Sequence, residues 1–529
     1  LMDERKPYID EIKMEFPEDV LSTDISTSGD IYLTIRKESL PRIANFLHEV
    51  KYKTPLLSMF GTDERELDGT YKIYAVFQIP RRPIFIILKA PLNDGKLDFP
   101  SITPLMYSGS LFEREMKDMF GFVPVGNPDT RHMVLHENFP EGIHPLRKDF
   151  PYKSALSKAK GLYSLHTIEG EGMFEIPVGP VHAGIIEPGH FRFSVAGEPI
   201  TNLEIRLYYK HKGIEKLMET LDIHEGCRVA ERVSGDSTVG HAVAYCQALE
   251  KASGTKTPVS AKYNRVIAME LERLYNHIAD IGGISTDAAF LFGAAHAGIL
   301  REKVVTLNEE LTGSRFLRGF ITPGGVTMDL FRAKDKITST LQGTKEGINK
   351  LAEILLASAS FLDRVKTTGI LGRKTAEDLA VTGPPARAAG IDFDIRRDAP
   401  YEAYGEVQFK VPIYKDGDVF SRLCVRIDEA FESISIIEQV LDKKADGPLK
   451  TEIRTLEPYR YALGCVEGWR GPIVYWIMSG PENRLYRCKI KDPSFCNWSG
   501  LSYAVLGNIV PDFPLCNKSF NLSYAGNDL

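Results

Sequence analysis

Two histidines and a glutamate fall within nine residues: His182, Glu187 and His190, in Gly179-Pro180-Val181-His182 and Glu187-Pro188-Gly189-His190. These residue types bind metals or relay protons. On the motif alone the plainer reading carries more weight, a strand-entry turn with solvated polar groups. The run Glu231-Arg232-Val233-Ser234-Gly235-Asp236-Ser237, with His241 behind it, sets hydroxyls near a base. It lacks the G-x-S-x-G elbow, so the expectation is a buried Glu231–Arg232 pair among small residues that let helices approach. Asp492-Pro493-Ser494-Phe495-Cys496 has the outline of a metal motif but one thiol only, and is not taken as a site. Pro323-Gly324-Gly325 reads as a structural turn. Neither a GxGxxG nor a Walker loop occurs, which argues against a nucleotide site.

The elements that must hold these residues follow from periodicity. In the first 150 residues, strand-like runs occupy Ile31–Arg36, Lys72–Pro80 and Pro83–Leu92, the last two forming a hairpin across Arg81-Arg82. Ser39 is expected to cap a helix with Ile43, Phe46, Leu47 and Val50 on one apolar face. Leu111–Phe120 reads as a helix whose Glu113, Arg114, Glu115 and Asp118 make a charged face, ended by Gly121. Residues 151–172, rich in Lys, Ser and Gly, read as a linker. From 173 to 529 the pattern predicts strands at Phe191–Val195 and Leu203–Tyr209. Helices are predicted at His211–Leu221, Tyr263–Ile281, Asn349–Arg364 and Ser421–Leu441. The fold class expected is α+β: a small α+β domain (1–150), a linker (151–172) and a large, mainly helical domain with strands (173–529).

Composition narrows the class. The chain has 529 residues, 65 Lys+Arg against 71 Asp+Glu, net charge −6 and 43% hydrophobic residues. That excludes a disordered acidic tail, a disulfide-stapled module and a basic nucleic-acid binder. The seven cysteines (227, 246, 424, 465, 488, 496 and 516) are scattered and form no C-x-x-C pair. This pattern suits a reducing compartment and argues against a zinc ribbon or a self-contained iron–sulfur ligand set. No uninterrupted apolar run reaches the length of a transmembrane helix, and no signal-peptide hydrophobic region is expected at the start.

Several motifs occur in one order. Glu113-Arg114-Glu115-Met116-Lys117-Asp118-Met119-Phe120-Gly121 and His144-Pro145-Leu146-Arg147-Lys148-Asp149-Phe150 resemble the 30-kDa-type subunit of respiratory complex I. Gly179-Pro180-Val181-His182, His211-Lys212-Gly213-Ile214-Glu215-Lys216, Glu231-Arg232-Val233, Glu272-Arg273-Leu274-Tyr275-Asn276-His277 and Pro323-Gly324-Gly325-Val326 resemble the 49-kDa-type subunit. They also resemble its relative, the large subunit of group 4 membrane-bound NiFe hydrogenases, as does Tyr401-Glu402-Ala403-Tyr404 through Arg422 and Arg426. The fusion of both parts is similar to the formate hydrogenlyase large subunit.

The resemblance has consequences for chemistry. NiFe hydrogenases hold their metals with two C-x-x-C pairs, because thiolates are soft ligands. The matching positions here are Ser234, Ser237, Ser523 and Gly526, so the resemblance is to a cysteine-less, energy-converting hydrogenase-related branch. No metal, no cofactor bound by this chain and no hydrogenase activity are expected. Ile186 and Gly235 stand where complex I carries a second His and a Tyr, while Glu187 falls where group 4 hydrogenases carry a proton-moving Glu. The expected proton relay is Glu187 and Asp236 with His182, in a cavity also lined by Glu231, Arg232, Ser234, Ser237 and Ser523. His211 and Lys212 would lie near a 4Fe–4S cluster in a partner, Lys212 giving a point charge where complex I has the planar fork of arginine. Implied partners are a small iron–sulfur subunit, antiporter-like membrane subunits and a ferredoxin-like subunit, with no nucleic acid. The implied place is the peripheral arm of a respiratory complex at the cytoplasmic face of a membrane, coupling electron transfer to proton or sodium translocation. Two rivals remain: a reductase of quinone or another small acceptor, and a non-catalytic scaffold with a filled cavity.

Overall fold

The computed structural model describes residues 2–184, 186–443 and 446–529. The N-terminal half builds a five-stranded sheet. In spatial order its strands are Val20–Ile25, Ile31–Ile35, Phe85–Asn93, Thr70–Gln78 and Leu56–Glu64. The expected hairpin is present, with Gln78 opposite Phe85 in antiparallel register. All nine residues of Leu56–Glu64 are buried, because both faces of the sheet are covered at this strand, whereas Val20–Ile25 at the opposite edge is largely exposed. Ile12 from the helix Met2–Glu15, Ile43 from Leu40–Asn45 and Leu47 from the helical turn that follows it pack on one face. On the other, Tyr32, Phe60 and Tyr74 meet Trp476 from a sheet near the end of the chain.

Two local expectations need correction. Ser39 precedes the helix Leu40–Asn45 but makes no side-chain cap bond, since its own φ of −93° and ψ of −7° are already helical. The chain then widens into a π-helix over Phe46–Lys51, and Val50 is left 66% exposed rather than on the apolar face. The helix Gly109–Phe120 ends at Gly121 with φ of 76°, as expected, yet its charged residues do not face water. Glu113, Arg114 and Asp118 are buried. Each is buried with partners: Asp118 Oδ2 accepts the amides of Met133, Val134 and Leu135 at 2.8, 2.8 and 3.1 Å.

Residues 151–172 carry no regular secondary structure but are tethered rather than loose. The Tyr163 ring lies 4.1 Å from the Arg206 guanidinium, and the His166 amide donates to Glu204 at 2.7 Å.

The second half opens with the sheet Met173–Val178, His190–Ala196 and Ile200–Arg206. The helix Val259–Asp287 runs through its core against Leu291–Thr312 and Val419–Leu441. The sheet Tyr461–Gly468, Gly471–Ser479 and Leu485–Lys491 lies near the end. Two expected helices come out differently. His211–Leu221 is helical only over Ile214–Met218, because Gly213 is left-handed and the Lys212 and Ile214 amides bond to the Leu529 carbonyl. Asn349–Arg364 spans two helices, Lys334–Ala357 and Ala359–Val365, broken at Ser358, whose extended backbone and hydroxyl cap the second.

Candidate functional site

Two turns far apart in sequence meet. One lies between the helices Ile223–Ala230 and Thr238–Ser253; the other starts the short helix Tyr524–Asp528. Ser234 Oγ donates to Asp236 Oδ1 at 2.9 Å and lies 2.8 Å from Ser523 Oγ. Having spent its proton on Asp236, Ser234 receives the Ser523 hydroxyl. Ser523 Oγ in turn accepts the Gly526 amide at 2.8 Å, and the Ser523 amide donates to Ser494 Oγ at 3.0 Å. Each of these hydroxyls is thus bonded to protein.

Arg470 closes the cluster from the turn joining the strands Tyr461–Gly468 and Gly471–Ser479. Its two terminal nitrogens hold both Asp236 oxygens at 2.7 Å, and Nη1 reaches Ser237 Oγ at 3.3 Å. Its guanidinium lies 3.8 Å from the Trp469 ring centroid. Trp469 Nε1 and Asn276 Nδ2 donate to the Asp236 carbonyl at 3.1 and 2.7 Å. Burial pushes the Asp236 carboxyl up, but the Arg470 charge outweighs it and holds the pKa below the usual carboxylate value. Asp492 stands behind. Its carboxylate meets His241 Nε2 at 3.1 Å and accepts the Ser494 amide at 2.7 Å. Burial opposes ionisation there too, yet His241 and Arg470 bring Asp492 down to about 2. His241 is wholly buried between Asp492 and Tyr475, so it is not the base of any serine here.

The remaining expected residues form a rim. Glu187 Oε2 accepts the Ala525 amide at 3.0 Å, one residue from Gly526, and Oε1 lies 3.5 Å from Lys210 Nζ. His182 Nε2 is bonded to the Gly189 carbonyl at 2.7 Å, bracing the loop that carries Glu187. Lys212 Nζ donates to the Arg232 and Val233 carbonyls at 3.0 Å each, just before the serine turn. His211 Nδ1 bonds to the Asp528 carbonyl at 2.6 Å. The expected Glu231–Arg232 pair is present as a long contact, but only its glutamate is buried. Glu231 is buried and accepts the Gly319 amide at 2.6 Å, while the Arg232 side chain is 59% exposed and 3.8 Å from it. The reason is local: at the end of a helix the two side chains leave in different directions.

Sequence reasoning missed Arg470, Trp469 and Asp492 as site residues. The signal at Asp492 is a carboxylate two residues before Ser494, whose amide it accepts and whose hydroxyl accepts the Ser523 amide. Glu272, in the motif Glu272-Arg273-Leu274-Tyr275-Asn276-His277, supports the same turn. Its carboxyl accepts the Val239 and Gly240 amides at 2.6 and 3.0 Å, at the start of the helix after Ser237, and burial pushes it up to about 8.

The respiratory-chain NADH dehydrogenase 30 Kd subunit model matches residues 33–155, and the 49 Kd subunit model matches 280–461 and 452–528. Hydrogenase-4 component G of Escherichia coli (strain K12) is 35% identical, over 98% of this chain and 91% of that protein. The chain belongs to this family of fused complex I- and hydrogenase-type subunits. A second member, formate hydrogenlyase subunit 5 of the same organism, is 33% identical over 98% of this chain and 93% of its own. Among solved structures, a chain of the membrane-bound sulfane sulfur reductase, an archaeal respiratory membrane complex, superposes with a TM-score of 0.64 at 25% identity. The match covers 68% of this chain and 99% of that one. Relatives of the chain thus sit in membrane-bound respiratory complexes, whereas no helix among its described residues is long and apolar enough to cross a membrane.

Hydrogenase relatives raise the question of a nickel–iron group. The residues at Ser234, Ser237, Ser523 and Gly526 do not fit one. Three offer neutral hydroxyls, poor ligands for soft metals. A side chain at 526 has no room: a Cβ there would lie 2.7 Å from Cγ and Oδ2 of Asp492 and 3.0 Å from Ser523 Oγ.

Proposed function

We propose that the chain is a hydrogenase-like subunit without a nickel–iron centre. In this reading it forms the peripheral arm of a membrane-bound respiratory complex, at the cytoplasmic face, that couples electron transfer to proton or sodium translocation. The observation that carries it is the closed Ser234–Ser523 hydrogen bond, with Asp236 and Arg470 bonded over it and Gly526 pressed on Asp492. A small iron–sulfur subunit would cover His211 and Lys212 and hold the 4Fe–4S cluster; antiporter-like membrane subunits and a ferredoxin-like subunit complete the set.

Within this reading Glu187 is the group that moves protons. It is partly open to solvent and bonded to the backbone beside Gly526. Asp236 is less suited, since two Arg470 bonds hold it ionised. In the purified complex, nickel should be absent by metal analysis and hydrogen oxidation undetectable; stoichiometric nickel defeats the reading. Glu187→Gln should assemble normally and lose coupled ion transport about tenfold or more. Unchanged transport removes Glu187 from the relay.

A second reading is favoured by one observation. One structural neighbour is a chain of a membrane-bound sulfane sulfur reductase, which supports reduction of a small acceptor, whether sulfane sulfur or a quinone, next to the partner's cluster. Oxidation of a reduced ferredoxin by the purified complex, with each acceptor supplied in turn, separates this reading from pure coupling and from a scaffold.

A further inference from the structure

A second cluster of buried charges plays no part in the serine site. The helix Val259–Asp287 contributes Glu270, Arg273 and His277, and Val419–Leu441 contributes Glu429. Arg387 comes from the helix Gly383–Ala388, Asp394 and Arg396 from the helix Ile395–Asp398 and its cap, and Glu467 from the strand Tyr461–Gly468. None of these eight is more than 1% exposed.

The bonds among them close on themselves. Arg387 donates to Glu429 Oε1 at 2.8 Å and to Glu467 Oε1. Arg396 holds both Asp394 oxygens at 3.1 and 2.7 Å and reaches Glu270 Oε1 at 3.2 Å. Arg273 Nε donates to Glu270 Oε2 at 3.2 Å, and its Nη1 lies 3.6 Å from Glu429. His277 Nε2 is 2.8 Å from Glu429 Oε2. Glu272 belongs to the amides of Val239 and Gly240 instead, and the neighbouring Arg426–Asp280 pair, 2.7 Å apart, balances itself.

The count leaves a remainder. Four carboxylates face three guanidiniums, which stay protonated in proteins. With His277 neutral, the fully ionised cluster carries one uncompensated negative charge in a dry interior, an arrangement strongly disfavoured. One proton removes it. An imidazolium at His277 is opposed by burial and then by Arg426 and Arg273, and Nδ1 has no hydrogen-bond partner among the described residues. Glu467 is bonded to only one guanidinium nitrogen and the Ile395 amide at 3.1 Å.

We propose that this cluster is a binding site for one proton, carried on the Glu467 carboxyl. Burial, reinforced by the Asp394 charge, pushes Glu467 up to about 7, whereas the arginines hold Glu270, Asp394 and Glu429 low. Glu467 also lies three residues from Arg470 on one hairpin. The proton site is independent of the coupling role, and either can fail without the other.

Infrared spectra of the full-length chain at about pH 6, compared between wild type and Glu467→Gln, test this. The variant should lose one carboxylic-acid C=O band. Asp394→Asn should lose the same band, because three carboxylates then match three guanidiniums and Glu467 ionises. Loss of carboxylate intensity in place of the acid band overturns the proposal. Neutron diffraction of the wild-type chain at the same pH decides without any variant. A deuteron on Glu467 upholds the site, and an ionised Glu467 beside a doubly deuterated His277 overturns it.

Discussion

Arg470 is where a single substitution should disturb the serine site most. Its guanidinium is 4% exposed and Asp236 39%, so removing it strands a carboxylate that can still reach some water. Arg470→Ala should therefore cost about 1–3 kcal/mol, less than breaking a fully buried pair. The pH dependence has a definite sign. Asp236 is lowered in the fold, so its contribution is present above the unfolded carboxylate pKa and fades as pH falls through the folded value. Urea unfolding of Arg470→Ala and wild type should converge in acid; equal stability at neutral pH removes Arg470 from this role. A companion prediction concerns Gly526. Placing thiols at 234, 237, 523 and 526 together should not confer nickel binding, because the new Cβ at 526 meets the Asp492 carboxyl. Nickel uptake by that variant, read by metal analysis, contradicts the steric argument. The motifs that contain Ser234 and Ser523 were legible in the sequence. Arg470 and Asp492 were not, since an arginine 234 positions from its carboxylate partner leaves no periodic trace.

At the scale of elements, the helix Gly109–Phe120 shows how a correct segment can carry a wrong face. Its length and its glycine end were legible from the 3.6-residue pattern and Gly121. The burial of its charges was not, because a charged stripe reads as solvated until the loops that cover it are known. Glu113 is satisfied by Ser101 Oγ at 2.6 Å, the Ile102 amide at 2.7 Å, Thr103 Oγ at 2.8 Å and Asn127 Nδ2 at 2.7 Å. Glu113→Ala strands these donors and should cost about 2–4 kcal/mol. Burial raises the Glu113 pKa. Its stabilisation is then complete below the unfolded carboxylate pKa and is lost as pH rises through the folded one. Glu113→Gln should accordingly flatten part of the loss of stability between acid and neutral pH in thermal melts, and an unchanged pH profile refutes that assignment. The broken helix at Ser358 is a similar case, where periodicity continued across a residue whose cap bond ends one helix and starts another.

At the scale of the whole molecule, the division into a small and a large part was legible from composition and motif order, but not the way the two share a core. The strands Leu56–Glu64 and Thr70–Gln78 of the N-terminal sheet are covered on both faces. Trp476 Nε1 donates to the Tyr32 hydroxyl at 3.2 Å, and the Trp476 ring lies 5.1 Å from Phe60 and 4.9 Å from Tyr74. Phe495 adds a second joint, 4.8 Å from Phe112. Buried ion pairs cross the same boundary, among them Lys489 with Glu115. Such a surface cannot be exposed without wetting an aromatic face, so the two parts should melt as one unit even though their sequences match two separate family models. Calorimetry of the full-length chain should give one transition. Trp476→Ala removes the central ring at about 3–5 kcal/mol and should split that transition in two, because each part retains its own cluster of buried residues while the joint between them is lost. Two transitions already in the wild type would mean that the shared aromatic layer contributes contact but not cooperativity.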